Sequence, residues 1–209
     1  MNIHSEASAP IDRRRNILDA ALAVFAEQGY AATPVPPIAE RAGVGVGTIY
    51  RYFPDKQSLV NEVFRETKAR LGSWLLDGLD LSAEPWPLYC AFWERLTSFA
   101  REQPEAFRFL ELQDHRPYLD EASRRTERAV LEPIRTAIER FRQAGLVRTG
   151  MQGPVIVALV WGAVVGIFKY DDGQYYRLLD SDLDAARDAL WRALTATEPP
   201  GPPLQGVST

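Results

Sequence analysis

The stretch Ile38–Leu59, IAERAGVGVGTIYRYFPDKQSL, contains two short helical patterns joined by a glycine turn. The apolar residues before Gly43 recur at helical spacing, and Gly43 can adopt the positive φ that a sharp turn requires. Val44 is an apolar plug between the two helices, and the second helix begins near Gly45 or Val46. The stretch therefore predicts a helix-turn-helix, a shape that enters a DNA groove.

The second of these helices carries polar groups that suit nucleic acid. Thr48, Tyr50 and Arg51 supply hydroxyl groups and a guanidinium for base edges and phosphates. Ile49 and Phe53 are apolar enough to hold the helix against its neighbours. This helix is therefore the expected recognition helix.

The segment AGVGVGTIYRYFPDKQSL, residues 42–59, resembles the signature of the TetR family of one-component bacterial transcriptional regulators, which usually repress. The resemblance begins at about Arg13, includes Gly29, Tyr30 and Thr33, and covers the N-terminal quarter of the chain. The rest is similar to the family only in length and helical character. The resemblance implies a dimer that binds a palindromic operator and releases it when a small-molecule effector binds.

The expected DNA contacts follow from the residue types and from this resemblance. Tyr52 and Lys56 would hold phosphates, and Val46 could touch a thymine methyl group. For Tyr50 and Tyr52 the alternative is packing in the small core with Phe53. The expected DNA-binding residues are Arg13, Arg14, Arg15, Thr33, Val46, Gly47, Thr48, Tyr50, Arg51, Tyr52 and Lys56.

Two places depart from the family pattern. Pro36–Pro37 stand where the family commonly carries polar or basic side chains close to the DNA backbone, and proline has no amide hydrogen to offer a phosphate. Gly45 replaces the usual serine or threonine cap of the recognition helix. Either the prolines simply stiffen the helix start, or phosphate anchoring shifts to Arg13–Arg15, Tyr52 and Lys56.

Composition and charge limit the possible functions. The 209 residues are 46% hydrophobic with a net charge of −4, yet residues 1–71 hold nine basic and eight acidic side chains, a charge of +1. Basic residues gather where phosphates would be met, so the overall charge does not exclude DNA. The single Cys90 and the absence of an apolar leader favour a cytoplasmic protein, nucleoid-associated when bound to DNA.

Helical spacing continues almost to the end of the chain and predicts an all-α fold of about nine helices. An N-terminal three-helix headpiece would be followed by a C-terminal helical domain, with the loop 77–87 as the boundary. The expected parts are a flexible tail (1–11), a helix-turn-helix DNA-binding domain (12–55), a connecting helix (56–76), a helical effector-binding and dimerisation domain (77–197) and a disordered tail (198–209).

The helix expected from Pro154 to Tyr170 is apolar nearly all round, which does not suit an exposed helix of a monomer. Its apolar run is shorter than the ~20 residues that cross a bilayer, so no membrane partner is expected. With the last helix it could form half of a four-helix bundle across a two-fold axis; the alternative is burial within one subunit. The expected dimer-interface residues are Val155, Leu159, Gly162, Ala163, Gly166, Leu183, Ala186, Leu190 and Leu194.

The central helices hold more aromatic rings than a bundle core needs, which suggests an apolar pocket for a hydrophobic or aromatic effector. An ordinary aromatic core is the competing interpretation. His115 lies in an expected loop, where a solvated histidine is the ordinary state. The expected pocket residues are Trp86, Tyr89, Phe92, Trp93, Phe107, Leu110, Gln113, His115, Tyr118 and Trp161.

Two other functions compete with a DNA-binding regulator. An enzyme needs a convergent acid, base or nucleophile, yet the sequence has two histidines, one cysteine and no metal-spaced cluster, so neither catalysis nor a cofactor is expected. The other is a helical ligand-binding or interaction protein whose headpiece has lost DNA affinity, as Pro36–Pro37 and Gly45 would suggest. DNA binding is favoured by the presence of Thr48, Tyr50, Tyr52 and Lys56.

Overall fold

The computed structural model describes residues 12–170 and 176–195, so the expected tails at 1–11 and 198–209 lie outside the described residues. The all-α prediction is confirmed. Beyond the helices, one isolated β-bridge joins Val147 and Thr195. The described residues form nine helices: α1 Arg13–Gln28, α2 Val35–Arg41, α3 Val46–Tyr52, α4 Lys56–Leu76, α5 Pro85–Glu102, α6 Pro104–Glu111, α7 Glu121–Gln143, α8 Gly153–Tyr170 and α9 Asp180–Leu194.

The described residues fall into two compact units. We name residues 12–68 and 104–126 the headpiece unit, and residues 69–103, 127–170 and 176–195 the cavity unit. These units do not coincide with the segments expected from the sequence. The division falls inside α4 and inside α7, and α6 with the loop after it belongs to the headpiece unit.

The core of the headpiece unit is built on the apolar stripe of α1. Ile17, Ala21 and Phe25 recur every four residues and are fully buried. Helix α1 contacts α2 and α6, while α2 also contacts α3. Ile38 of α2 and Ile49 of α3 are buried as well, so the three-helix core predicted from the spacing is present.

The buried carboxamide of Asn61 helps to hold the segment after α6 in the headpiece unit, which α6 itself joins through its contacts with α1. Its Nδ2 donates to the carbonyl oxygen of Tyr118 at 2.9 Å. Its Oδ1 accepts from the backbone N–H of Asp120 and from the hydroxyl of Ser123, both at 2.8 Å. One side chain of α4 therefore satisfies three polar groups of the segment that leads into α7, in a site closed to water.

His115 lies in the loop after α6 and is also buried. Its Nε2 is 2.6 Å from the carbonyl oxygen of Phe109, so Nε2 must carry the proton, because a carbonyl oxygen only accepts. Nδ1 then accepts from the hydroxyl of Tyr118, also at 2.6 Å. The expected solvated histidine is therefore wrong: the imidazole is a neutral member of the headpiece core.

The cavity unit contains α5, α8, α9 and the remaining parts of α4 and α7. Trp93, Leu96 and Phe99 of α5 are fully or almost fully buried. Close packing between α4 and α7 occurs at Gly72, where an added Cβ would lie 2.8 Å from Cγ2 of Val130. Glycine at this position in the middle of a helix is therefore explained by the space that Val130 occupies.

Replacing Gly72 by alanine tests this packing. In the wild-type background we expect the free energy of unfolding to fall by up to about 2 kcal/mol, because overpacking costs ~1–3 kcal/mol and alanine offsets ~1 kcal/mol of this as a better helix former. In a Val130→Ala background the same change should raise the free energy of unfolding. Urea unfolding of the four proteins measures both values. An equal effect of Gly72→Ala in the two backgrounds would contradict the proposed clash.

The buried His115 predicts a dependence of stability on pH. Burial lowers the pKa of His115 below its ordinary value of 6.5, and nearby Lys68 acts in the same direction, whereas Asp114 and the hydrogen bond to Phe109 oppose them. The unfolded chain therefore takes up a proton first as the pH falls. The stabilisation that the neutral ring provides is complete above about pH 6.5 and decreases below it, down to the lower folded-state pKa.

We expect the wild type to lose stability between pH 7.5 and pH 5.5 by more than the His115→Phe variant does. The variant loses two hydrogen bonds and should be less stable at both pH values, but it has no imidazole to protonate. Urea unfolding of both proteins at the two pH values gives the comparison. The same pH-dependent loss in both would show that other groups cause it.

Candidate DNA-binding surface and ligand cavity

The turn between α2 and α3 is fixed by backbone hydrogen bonds. Gly43 has φ of 66°, in the left-handed region that favours glycine. Its N–H donates to the carbonyl oxygen of Glu40 at 3.1 Å, and the N–H of Val44 donates to that of Ala39 at 3.0 Å. These two bonds make a Schellman motif, which ends α2 and sets the direction of the chain into α3.

Helix α3 presents its polar face to solvent. Ile49 is 1% exposed, whereas Tyr50 and Tyr52 are 47% and 40% exposed, so neither tyrosine is a core residue. Arg51 is exposed and lies 5.4 Å from the centre of the Tyr52 ring. A Cβ added at Gly47 would meet no atom within 4 Å, so its small size is not required by any contact within the headpiece. Val46 and Thr48 on the same helix are half-buried.

The entry to α2 offers few groups to a phosphate. Pro34 is the N-cap, and Pro36–Pro37 occupy the second and third helical positions, so only Val35 among the first four residues has an N–H. Thr33 was an expected DNA-binding residue, and the structure contradicts this. Its side chain is fully buried, because its hydroxyl donates to the carbonyl oxygen of Gly29 at 2.7 Å.

Lys56 is half-buried and already bound within the headpiece. Its Nζ donates to the carbonyl oxygens of Tyr30 at 2.8 Å and Thr33 at 3.0 Å, and it lies 4.3 Å from the centre of the Tyr30 ring. The ammonium thus fastens the start of α4 to the connection between α1 and α2. One N–H of the three remains for a phosphate.

Two of the three clustered arginines are paired inside the headpiece unit. Arg14 pairs with Glu62 and, at 2.9 Å, with Glu66. Arg15 pairs with Asp19 and with Glu66 at 3.1 and 3.3 Å. These contacts do not favour a shift of phosphate anchoring to the cluster as a whole. Arg13 is exposed and has no ion pair with any described residue.

The cavity unit encloses an apolar cavity of about 100 Å³. Tyr89, Phe92 and Trp161, three of the expected pocket residues, line it. Most other lining residues were not anticipated, although the helically spaced apolar series of α7 could have indicated those that α7 contributes. Among these are Leu88, Ile134, Ile138, Phe141, Ile156, Val160, Trp191 and Thr195.

The other expected pocket residues do not line this cavity. Trp86 contacts the ring of Trp191 at 5.1 Å, and Trp93 is buried beside Tyr89. The remaining five belong to the headpiece unit, because α6 packs on α1 and because hydrogen bonds hold the loop after α6 there; for example, Gln113 donates to the carbonyl oxygen of Phe25 at 2.5 Å. These five are Phe107, Leu110, Gln113, His115 and Tyr118.

Helix α8 is long and apolar enough to cross a membrane by length and composition alone, and only 17% of it is buried. This is weak evidence for a membrane span, since a helix of a soluble protein can pass the same test. Its solvent-facing side carries Val155 and Leu159, which are 48% and 42% exposed, together with Gly162. Burial of the whole helix within one subunit is therefore wrong. Ala163 and Gly166 beside them are half-buried.

Helix α9 turns its large residues inward. Leu183 and Leu194 were expected at a dimer interface, but both are buried within the protomer, and Leu194 lines the cavity. Their spacing along the helix explains why both leucines are buried, because it places them on the same inner face of α9 as Trp191. Ala186 and Leu190 are half-buried and remain available to a partner.

Two protein-family models match the chain. The model described as "Bacterial regulatory proteins, tetR family" matches residues 17–63, which contain the helix-turn-helix. The model described as "Tetracyclin repressor-like, C-terminal domain" matches residues 87–196. The second match alone covers more than half of the chain.

Curated relatives include transcriptional repressors. The repressor KstR of Mycolicibacterium smegmatis is 50% identical over 54 residues, which is 26% of this chain and 26% of KstR. The repressor KstR2 of the same species is 28% identical over 202 residues, which is 93% of this chain and 84% of KstR2. The chain spans only about a quarter to a third of the length of the first relatives it matches.

Solved structures share the fold. A TetR family regulator from Marinobacter aquaeolei has a TM-score of 0.77 at 21% identity, over 88% of this chain and 95% of that one. Bacillus subtilis FadR in complex with stearoyl-CoA has a TM-score of 0.63 at 22% identity, over 87% of this chain and 97% of that one. AibR in complex with isovaleryl coenzyme A and operator DNA has a TM-score of 0.72 at 18% identity, over 88% of this chain and 98% of that one. With both family models matched and the fold shared, the chain belongs to the TetR family of bacterial regulatory proteins.

Proposed function

We propose that this protein is a transcriptional repressor that binds a palindromic operator as a homodimer and is released by an apolar small molecule. The observation that carries the DNA-binding part is the exposed polar face of α3, with Tyr50 and Arg51 outward and open space over Gly47. A helix held by a rigid turn and presenting such a face suits the major groove.

The exposed side of α8 supports the dimer. Val155, Leu159 and Gly162 expose apolar surface on a helix whose other side packs in the protomer. A second copy of the same face would remove this surface from water and complete a four-helix bundle with α9. Two-fold symmetry would also place two recognition helices about 34–36 Å apart, one turn of DNA.

The cavity supports an apolar effector. Its lining is almost wholly hydrocarbon and aromatic, which favours burial of an apolar group. FadR and AibR are seen with stearoyl-CoA and isovaleryl coenzyme A, two ligands that each have an apolar acyl part. Effector and operator would each weaken the binding of the other by the same coupling free energy, typically ~1–3 kcal/mol.

A second candidate function is favoured by the entry to α2. Because Pro34 and Pro36–Pro37 remove three of the four amide donors at this helix end, and because Arg14 and Arg15 are paired internally, backbone anchoring is weaker than the motif suggests. A ligand-binding protein without DNA affinity would have the same cavity and the same exposed face on α8. Selection of bound sequences from a random DNA pool distinguishes this function from that of a DNA-binding repressor.

Selection of bound sequences from a random duplex pool should enrich a palindrome whose half-sites lie about one turn apart. Gly47→Ala should leave the protein folded, since the added methyl group meets no protein atom, but should weaken binding of the selected DNA by roughly tenfold. Tyr50→Ala should weaken it similarly. A fluorescence anisotropy titration gives the affinities, and circular dichroism confirms folding.

Tyr176→Ala is the matched control, because Tyr176 in the cavity unit is 48% exposed, close to the 47% of Tyr50. It should bind the selected DNA as the wild type does. Enrichment of no sequence would reject the operator and leave the ligand-binding alternative. Full affinity of Gly47→Ala and Tyr50→Ala would remove α3 from the interface.

Leu159→Arg should convert the protein from a dimer to a monomer, because the charge would be buried between two α8 helices. Light scattering at micromolar concentration measures the mass. Leu112→Arg is the control, since Leu112 in the headpiece unit is also 42% exposed and should leave the dimer intact. A monomeric wild type would contradict the dimer, and its binding to lipid vesicles would instead assign the face of α8 to a membrane.

A further inference from the structure

We propose that the cavity selects its ligand by excluding polar groups. The part of the ligand that enters is a hydrocarbon group without any hydrogen-bonding atom, either one ring or a short branched alkyl group. This inference rests on the proposed effector role of the cavity and specifies the chemistry of its ligand.

The wall of the cavity is hydrocarbon on every side. Helices α5, α7, α8 and α9 contribute most of it, and the connection between α4 and α5 adds Leu79 and Leu81. Almost no polar atom of the described residues is exposed on this wall. A ligand inside the cavity therefore meets carbon atoms and has no hydrogen-bond partner.

The polar atoms of three lining residues are turned to the protein or hidden. The hydroxyl of Tyr89 donates to the carbonyl oxygen of Arg187 at 3.1 Å. The hydroxyl of Thr195 donates to the carbonyl oxygen of Trp191 at 2.9 Å. The indole nitrogen of Trp191 is buried and has no surface that a ligand could reach. These residues thus present only their carbon atoms to the cavity.

The cavity also lacks charge. No Asp, Glu, Lys, Arg or His side chain of the described residues lines it. Two arginines lie next to lining residues in the sequence or in space, but their guanidinium groups are bound elsewhere. Arg140 donates to the carbonyl oxygens of Ser82 and Ala83, both at 2.8 Å, and Arg187 pairs with two aspartates of α9 at 2.9 Å. An anionic group in the cavity would be buried without a counter-ion, which is strongly unfavourable.

Desolvation turns this wall into a selective device. A polar ligand atom gives up its hydrogen bonds to water when it enters, and the wall offers none in return. Transfer of a hydroxyl from water costs far more into a medium without hydrogen-bonding groups than into one that supplies them. The cavity is a medium of the first kind, so it discriminates strongly against a hydroxyl that replaces a methyl group of the same size.

The volume of the cavity limits the size of the hydrocarbon. It is about 100 Å³, somewhat smaller than the ~150 Å³ apolar cavity that accepts benzene in an engineered protein. A single ring or a short branched alkyl group suits this space better than a long chain. The expected ligand is therefore both compact and free of polar atoms where it is buried.

Toluene and phenol test the exclusion of polar groups, because they have nearly the same shape and differ in a methyl group against a hydroxyl. Calorimetric titration of the full-length protein should show binding of toluene, with phenol weaker by about a hundredfold or more. A wall that supplied a hydrogen bond would reduce the ratio to roughly tenfold. Mesitylene, a wider ring, should bind more weakly than toluene although it is more hydrophobic.

Ala137→Leu tests the place of binding, because Ala137 of α7 lines the cavity and a larger side chain would fill part of it. It should weaken toluene binding by roughly tenfold or more, since a close-packed interior cannot hold both groups. Ala129→Leu is the matched control: Ala129 lies on the same helix, is exposed and does not line the cavity. It should bind toluene as the wild type does, and circular dichroism checks that both variants are folded.

Three results would overturn the inference. The first is binding of phenol within about tenfold of toluene, which is the ratio expected if the wall supplied a partner. The second is tighter binding of mesitylene than of toluene, which would remove the size limit. The third is absence of toluene binding by the wild type, or unchanged binding by Ala137→Leu.

The proposed function has a separate readout. Toluene should release the selected operator DNA in the anisotropy titration, because the cavity is the proposed effector site. If toluene binds with the expected preference over phenol and leaves the affinity for DNA unchanged, the effector role is rejected and the chemistry of the cavity is retained. The two failures are therefore distinguishable.

Discussion

The headpiece depends on one buried amide. Asn61 of α4 satisfies the backbone of Tyr118 and Asp120 and the hydroxyl of Ser123, and it does so away from water. Without it, the backbone N–H of Asp120 would lose the partner shown here, and the carbonyl oxygen of Tyr118 would keep only its bond from Gln57. Together with the packing of α6 against α1, this constraint makes residues 104–126 part of the unit that carries the recognition helix, although nearly half the chain separates them from the start of α1.

The local signals in the sequence predicted the helices well. The expected connecting helix and the observed α4 share the bounds Lys56 and Leu76, because Asp55 caps its start and Gly78 follows its end. Gly43 likewise predicted the turn of the motif, since only a positive φ completes the hydrogen bonds there. Such signals lie within a few residues of the structure that they determine.

The hydrogen bonds between polar side chains and backbone carbonyls could not be predicted in this way. Gln113, His115 and Thr33 have polar side chains that suggest solvent or ligand, yet each donates a hydrogen bond to a backbone carbonyl of the headpiece unit. Their partners have no periodic pattern that a sequence could show. The apolarity of α8 had the same ambiguity, because composition alone does not tell which face a helix exposes. Three aromatic residues of the cavity were predicted from the sequence, whereas Phe141, Trp191 and the aliphatic lining were not.

The prolines at the start of α2 also act on the unfolded chain. A helix of seven residues cannot persist alone, because fixing its first turn costs more conformational entropy than its few hydrogen bonds return. Each proline restricts φ before folding begins, and at a compatible position this is worth about 0.4–1 kcal/mol. The prolines thus remove amide donors at this helix end. They also leave the segment partly ordered before the recognition helix docks against it.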